Sequence, residues 1–449
     1  MKPVTRRSFL KHSAMIAGAT VAAPYFCSAQ SAGANDTLRF GFIGTGGQGR
    51  HDGNQFAQFG HVAAVCDVDA ERLTQAAKQF ERSNPDTYKD YRKILERNDI
   101  DAVSIATVDH WHVKIAIEAL QAGKHVFCEK PFTLTVEEGQ FAKRAAAKYP
   151  NKVFMIGTQQ RTQREQFALA ALMVRKGVLG TIIRMTADIT GNPTGGPFAK
   201  TSPPETLDWD FWQGQCKPVE YIKERVHGDF RWWYEYSGGK FTDWGAHHID
   251  FCLWALGEDM PGKGPTVFAP THNEQAVPFK GGYPTVDDCY NVPKAFEITC
   301  RFPSGVEMIV TDRSPDGNGI LIEGNKGKIH VSRGRIVGKP MEEKWYEKVI
   351  TDKDFDSLTN GVPFPTDFDN NDVNHKSNFI RCIRDGGKPV SDAVSHVQTM
   401  YSCHLCSIAS RLDREIRWNP ASETIIGDAQ ASSFLAFERR KEYDIPVVS

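Results

Sequence analysis

The segment LRFGFIGTGGQGR, residues 38–50, restricts the fold more than any other part of the chain. A short apolar strand runs straight into a glycine turn. A helix-compatible stretch follows, then a second apolar strand, VAAVC, that ends on Asp67. Each glycine has a separate task. Gly44 permits the tight turn, Gly46 lets backbone approach a pyrophosphate, and Gly49 lets the helix pack close on the strand. Together with Thr45, Gly47, Gln48 and Arg50 they make a loop whose amides face phosphates at a helix N-terminus. Asp67 follows at the spacing where a carboxylate accepts hydrogen bonds from the adenine ribose hydroxyls. It repels a ribose phosphate, so the pattern predicts NAD(H) over NADP(H); Arg72 nearby tempers that preference.

The alternation continues. Helices are expected over residues 71–81, 91–98 and 136–148, and one from about residue 111, capped by Asp109. Buried strands are expected over 102–107, 125–128 and 153–157. Strands alternating with helices predict a doubly wound parallel sheet. Ligands bind at the carboxyl ends of such strands. Here those ends carry Thr107, His110, Trp111, Glu129 and Lys130, in addition to the glycine turn and Asp67.

The N-terminus reads differently. Residues 1–34 contain a basic segment, a short apolar run and a small-residue region, the layout of an export signal. The run falls short of the ~20 apolar residues of a membrane span. TRRSFLK, residues 5–11, resembles the twin-arginine signature, so the precursor is expected to use the twin-arginine export machinery and reach the periplasm. Net charge is -1 over 449 residues, which offers no surface for nucleic acid. Of ten cysteines, Cys27 lies in the signal. Cys66, Cys128, Cys252 and Cys300 sit in apolar contexts where buried thiols are expected. CHLC, residues 403–406, looks like a redox or metal pair. It lies within the helical pattern Val394, Val397, Tyr401, Leu405, Ile408, Leu412, and core packing is the expectation.

At Glu129-Lys130-Pro131, which follows ATVDHWH at 106–112, the chain resembles the glucose–fructose oxidoreductase and inositol dehydrogenase family (Gfo/Idh/MocA). The resemblance covers essentially everything after the signal. It implies a Rossmann domain over 36–158 and a substrate-binding α+β domain over 159–449. The latter would carry a large, mostly antiparallel open sheet, with late helices that pack on either domain. Residues 295–302 alternate apolar and polar, PSG at 303–305 is a turn, and 306–311 follow, so a hairpin is expected. Residues 181–190, 319–323 and 328–331 are further strand candidates. The open sheet suggests pairing into a homodimer or homotetramer. In this family the lysine of Glu-Lys-Pro acts at the reacting carbinol, which gives Lys130 that role.

A second family signature is Gly-Gly followed by Asp-x-Gly-x-His, here Gly238-Gly239 and Asp243 to His247 within GGKFTDWGAHHID. On a helix, residues four apart lie about 40° apart around the axis, so Asp243 and His247 share a face, with Asp250 close to it. His248 is turned about 100° from His247, towards Trp244. By resemblance His247 is the general base and Asp243 orients it or binds substrate. His248 stays open between support residue, substrate contact, second acid/base and the one ligand that would revive a metal reading. Asp243, His247 and Asp250 also offer one face of metal ligands. No HExxH or comparable paired motif accompanies them, and no metal is expected.

Aromatic residues crowd this region: Trp209, Phe211, Trp212, Trp232, Trp233, Tyr234, Tyr236 and Trp244. Some are expected in the core. Trp232, Trp233, Tyr234, Tyr236 and Trp244, with Gln160 and Arg161 after the last parallel strand, are candidate contacts for a sugar or polyol. Three activities compete. The first is an NAD(H)-dependent oxidoreductase of sugars or polyols. The second is a glycoside hydrolase or lyase that uses tightly bound NAD transiently, through oxidation, elimination, hydration and re-reduction. The third is a non-catalytic dinucleotide-binding protein, which the Lys130–Asp243–His247 set argues against. Free NAD(H) is not expected outside the cytoplasm, so an exported enzyme of this kind predicts a tightly held cofactor.

Overall fold

A computed structural model describes residues 37–446 and Val448. The export segment and Cys27 lie outside the described residues. Six strands form one parallel sheet: β1 (Leu38–Ile43), β2 (Gly60–Cys66), β3 (Asp86–Tyr88), β4 (Ala102–Ile105), β5 (His125–Cys128) and β6 (Phe154–Ile156). Their order is β3-β2-β1-β4-β5-β6, every pair parallel. This is the doubly wound order whose reversal point lies between β1 and β4. β4 is buried along its whole length and β1, β2 and β5 along most of theirs, which is why they read as apolar runs.

A second sheet follows. Its strands are β7 (Ile182–Asp188), β8 (Val267–Glu274), β11 (Ala295–Arg301), β12 (Glu307–Thr311), β13 (Gly319–Gly324), β14 (Lys328–Val331), β15 (Ile336–Val337), β16 (Ile416–Asn419) and β17 (Thr424–Ile425). A separate small hairpin, β9 (Phe279–Lys280) with β10 (Tyr283–Pro284), lies outside it. The nine strands run β15-β14-β13-β7-β12-β11-β8-β16-β17, and only β7 and β12 pair in parallel. The expected hairpin is β11 against β12, with Phe296, Ile298 and Cys300 turned into the core. The fold is therefore α/β with a parallel Rossmann sheet and a larger, mostly antiparallel one.

Two local expectations differ from the structure, and one strand carries no sequence signal. The helix expected over 91–98 shortens to Arg92–Leu95. Asp109 caps nothing; it opens a 3-10 turn, Asp109–Trp111, before the helix His112–Gln121, and its buried carboxylate accepts from Ser237 Oγ at 2.5 Å. β8 was not legible, because Pro270 and a polar second half interrupt any alternation.

The late helix Ala393–Leu412 is capped by the Asp392 carboxylate, which accepts from the Val394 and Ser395 amides. It packs on the helix Val136–Lys148 beside the first sheet, and on the helix Gly245–Leu256 and β8 beside the second. One late element thus fixes both sheets. Cys403 and Cys406 are buried free thiols in it, with Cys406 Sγ 3.6 Å from Cys300 Sγ.

Candidate active site

The glycine turn has the geometry its residues demand. Gly44 has φ +82°, and a Cβ there would lie 2.5 Å from the Thr107 amide nitrogen. A Cβ on Gly49 would overlap the Gly44 carbonyl oxygen, so only glycine lets the helix Gly47–Phe56 come this close to β1. Gly47 has open space, and Arg72 Nη1 occupies the place a Gly46 Cβ would take. Asp67 Oδ2 accepts from the Thr45 amide at 2.7 Å and from Thr45 Oγ1 at 3.2 Å. Burial pushes the Asp67 pKa up, while the Asp69 and Thr45 amides and Arg72 pull it back. Arg50 turns aside, to the Thr45 carbonyl and Gln75.

A cavity of about 370 Å³ opens beside this turn. Gly44, Gly46, Gly47, Gln48 and Asp67 line one end. Thr107, Trp111, Glu129 and Lys130 line it from the ends of β4 and β5. His110 does not reach it: it is 1% exposed, and its Nε2 bonds the Trp212 carbonyl at 2.8 Å.

Lys130 Nζ donates to Asp243 Oδ1 at 2.7 Å, with side-chain exposures of 17% and 12%. Burial opposes ionisation of Asp243. The charges of Lys130 and Arg231 overcome it and hold the carboxyl well below the usual range. Arg231 Nε stands 3.4 Å and Lys240 Nζ 3.8 Å from the same carboxylate. Arg231 lines the cavity; in the sequence it stands as one of the polar residues set among the rings of a candidate sugar site.

His247 lies one helical turn on, buried and not among the cavity-lining residues, with Nδ1 unpartnered. Burial, then the Lys130 and Arg333 charges, drive its pKa far down, so the imidazole is neutral. His248 points elsewhere, with Nδ1 3.0 Å from the Asp188 carbonyl oxygen, and burial lowers its pKa to about 3. Trp244 packs edge-on to both histidines and carries Arg333 over its ring at 4.8 Å. Arg333 comes from the turn between β14 and β15, and nothing local in the sequence marked it.

Several expected contacts have other work. Arg161 is 2% exposed and grips Asp250 through Nε and Nη2, both at 2.7 Å, with Asp259 at 3.0 Å. A guanidinium that deeply buried needs carboxylate partners, and it finds them away from this cavity. Asp250 is thereby drawn off, so Asp243, His247 and Asp250 do not converge as ligands. Gln160 is buried, with both side-chain polar atoms unpartnered. Trp233 and Tyr236 belong to a small aromatic core with Trp212, Tyr221 and Phe230. Arg411 lies over the Tyr234 ring at 4.5 Å, and Lys240 over the Trp232 ring at 5.4 Å.

That aromatic core belongs to an insert between β7 and β8 that walls one side of the cavity. Phe211, Trp212 and Phe230 line it. The Trp212 carbonyl accepts from both His110 Nε2 and Trp111 Nε1, at 2.8 and 3.1 Å. The 206–208 segment adds backbone bonds to Ala70 and Val68, beyond the end of β2. A dinucleotide fits this cavity: the backbone of Gly47 is bare, Arg72 stands over Gly46, and Asp67 lies at the far strand end.

Comparison with known proteins agrees. The oxidoreductase-family model for an NAD-binding Rossmann fold matches residues 38–157, and its C-terminal alpha/beta domain matches 196–337. The chain belongs to the Gfo/Idh/MocA oxidoreductase family. Among relatives, a glycosyl hydrolase family 109 protein of Shewanella baltica (strain OS155 / ATCC BAA-1091) is 35% identical over 157 residues, 33% of this chain and 34% of that protein. The chain thus spans about a third of the length of the curated relatives it matches. The WlbA dehydrogenase of Bordetella pertussis, solved with NADH and UDP-GlcNAcA, has TM-score 0.59 at 18% identity, over 85% of this chain and 98% of that one. The aldose-aldose oxidoreductase of Caulobacter crescentus, complexed with glycerol, has TM-score 0.58 at 19% identity, over 85% and 99%. As a Gfo/Idh/MocA member the chain carries an NAD-binding Rossmann fold within an oxidoreductase architecture. Among the described residues no helix is long and apolar enough to cross a membrane.

Proposed function

We propose that the protein is an NAD(H)-dependent oxidoreductase acting on a carbinol of a sugar, sugar derivative or polyol. The observation that carries this is the Lys130–Asp243 pair, set at the cavity beside the glycine turn. When bound, the dinucleotide accepts or returns a hydride. The chain handles the proton. Asp243 holds the Lys130 ammonium, which donates a hydrogen bond to the carbinol oxygen and steadies negative charge there. His247, neutral and standing behind the cavity wall, is the proton acceptor that the family resemblance assigns. Asp67 receives the adenosine ribose, favouring NAD(H), and the insert keeps the cofactor from leaving. The names of structural neighbours, dehydrogenases and an aldose oxidoreductase among them, support the substrate class.

The likeness to glycosyl hydrolase family 109 proteins favours a second reading, in which oxidation is transient and a glycosidic bond is cleaved before the sugar is reduced again. One experiment separates them. Cofactor-loaded protein is incubated with a panel of sugars and glycosides while nicotinamide redox state and released sugar are followed together. Net NADH formation supports the first reading. Released sugar without net NADH supports the second, and silence in both channels sinks the two together. The same proposal includes export through the segment at residues 1–34, checked by cell fractionation, and self-association through the open sheet, whose Ile183 is 54% exposed, checked by ultracentrifugation.

A further inference from the structure

The reacting end of the cavity gathers more cations than anions. Asp243 is approached by Lys130 at 2.7 Å, Arg231 at 3.4 Å and Lys240 at 3.8 Å. Three positive charges share one carboxylate. Arg333 adds a fourth cation over the Trp244 ring. Other carboxyls come near but do not restore the balance. Asp109 is buried against Ser237, and burial raises its pKa to about 7 although the Arg231 and Lys130 charges pull it down. Glu129 is pushed upward by burial and by the charge of Asp52, which in turn binds Lys376 at 2.8 Å. Burial also pulls the Lys240 and Arg333 pKa values down, as expected of cations short of counter-charge.

This surplus is not needed for the pyrophosphate. The helix amides and Arg72 stand at the glycine turn, whereas Arg231 and Lys240 gather on the carboxylate that holds Lys130. Arg231 reaches the cavity wall, with Nη1 steadied by the Gly228 carbonyl at 3.0 Å. A partly desolvated guanidinium beside an ammonium attracts an oxyanion on whatever molecule enters.

We infer that the substrate is an anionic sugar, bearing a carboxylate, sulfate or phosphate that Arg231 receives at the cavity wall, with Lys240 adding charge behind it, while Lys130 engages the carbinol. This rests on the oxidoreductase reading above and specifies its substrate class. It also sets orientation: the anionic group lies on the Arg231 side, within one sugar ring of the oxidised carbon.

The test uses full-length, NAD-loaded protein. Binding is measured by calorimetry, and turnover by nicotinamide absorbance and released sugar. The probes are the methyl glycosides of glucose and galactose, their uronic acids, and the 6-sulfates and 6-phosphates of the two sugars. At least one anionic class is expected to bind about tenfold tighter than its neutral parent, the scale of one charge-assisted hydrogen bond. That ratio should shrink as salt is raised. Arg231→Gln should collapse it towards one, and Lys240→Gln, an independent variant should the first fail to fold, should lower it too. Which anion prevails distinguishes carboxylate from sulfate and phosphate. Neutral sugars bound and turned over as well as every anionic one overturn the inference and leave the oxidoreductase reading standing. Arg231→Gln weakening NAD retention instead of the ratio also overturns it. No binding and no turnover by any probe overturns both.

Discussion

The Lys130 ammonium and the Asp243 carboxylate meet at 2.7 Å, although one follows a strand of the parallel sheet and the other ends the short helix Lys240–Asp243. The pair brings charge to the cavity wall and ties the two halves of the fold at one point. Lys130→Ala should lower turnover by a factor of about 10² to 10⁴, read as kcat with NAD retention unchanged. Asp243→Asn leaves three cations without their carboxylate and should cost about 3 kcal/mol of stability at pH 7. The sign with pH follows from a depressed pKa. The stabilisation is present above the unfolded carboxyl range, near pH 4, and is lost as pH falls from there through the folded value. Urea midpoints of wild type and Asp243→Asn should therefore stay apart from pH 8 to 5 and begin to converge only below about pH 4.

The two adjacent histidines should behave differently. His247→Ala is expected to cost about a hundredfold in rate, as loss of a proton-transfer group does. His248 is tied to the Asp188 carbonyl beneath Trp244, so His248→Ala should lower the melting temperature more than the rate. Equal losses of rate in both variants would refute the separation of roles.

Gly47 and Gly49 make a sharper contrast, because both sit in one turn. A Cβ at position 49 collides with the backbone of Gly44, which cannot yield without moving the turn. Gly49→Ala should lose measurable dinucleotide binding and several degrees of melting temperature. A Cβ on Gly47 meets nothing within 4 Å. Gly47→Ala should keep the melting temperature of the empty protein, and any loss should appear only in dinucleotide affinity.

What the sequence disclosed was set by how local each cause is. The glycine turn, Asp67 and the strand ends are short-range devices, and most of their residues line the cavity; His110 and Arg50 turn to other partners. Helical phase separated His247 from His248, whose Nδ1 meets the Asp188 carbonyl, but the helix breaks at Trp244 between Asp243 and His247. Arg161, Trp233 and Tyr236 misled because a buried cation or ring reads like a ligand contact until its partners are known. Those partners, Asp250 and Asp259 for Arg161, and Trp212 for Tyr236, are fixed by tertiary packing. Arg333 was missed for the opposite reason: it becomes a site residue only once a distant turn folds against Trp244.

The buried His404 gives a test of pH dependence. Its Nε2 pairs with Thr133 Oγ1 at 2.8 Å, and burial lowers its pKa to about 3. A histidine held neutral in the folded state contributes its full stability above the unfolded value near 6.5. It loses that stability as pH falls below it, by up to about 1.4 kcal/mol per pH unit. His404→Gln keeps a hydrogen-bonding amide and removes the titration. Between pH 6.5 and 4 the unfolding free energy of the variant should fall less steeply than that of wild type, by close to one proton's slope. Parallel curves would mean that His404 is protonated in the fold.

The insert makes the last prediction, because it turns cavity shape into residence time. The Trp212 carbonyl is held by His110 and Trp111, and Arg440 ties the chain's end back to Asp210 at 2.7 Å. Dinucleotide behind this wall leaves only when the wall opens, so purified protein should carry NAD(H) through gel filtration. Trp111→Phe keeps the ring packed against Tyr91 and Phe211 but removes one of the two donors to Trp212. With one net hydrogen bond worth about 1 kcal/mol, release should quicken by roughly fivefold in a stopped-flow chase, with little change in melting temperature. Wild-type protein that emerges empty and binds NAD only at micromolar levels or weaker would show that the insert does not retain the cofactor.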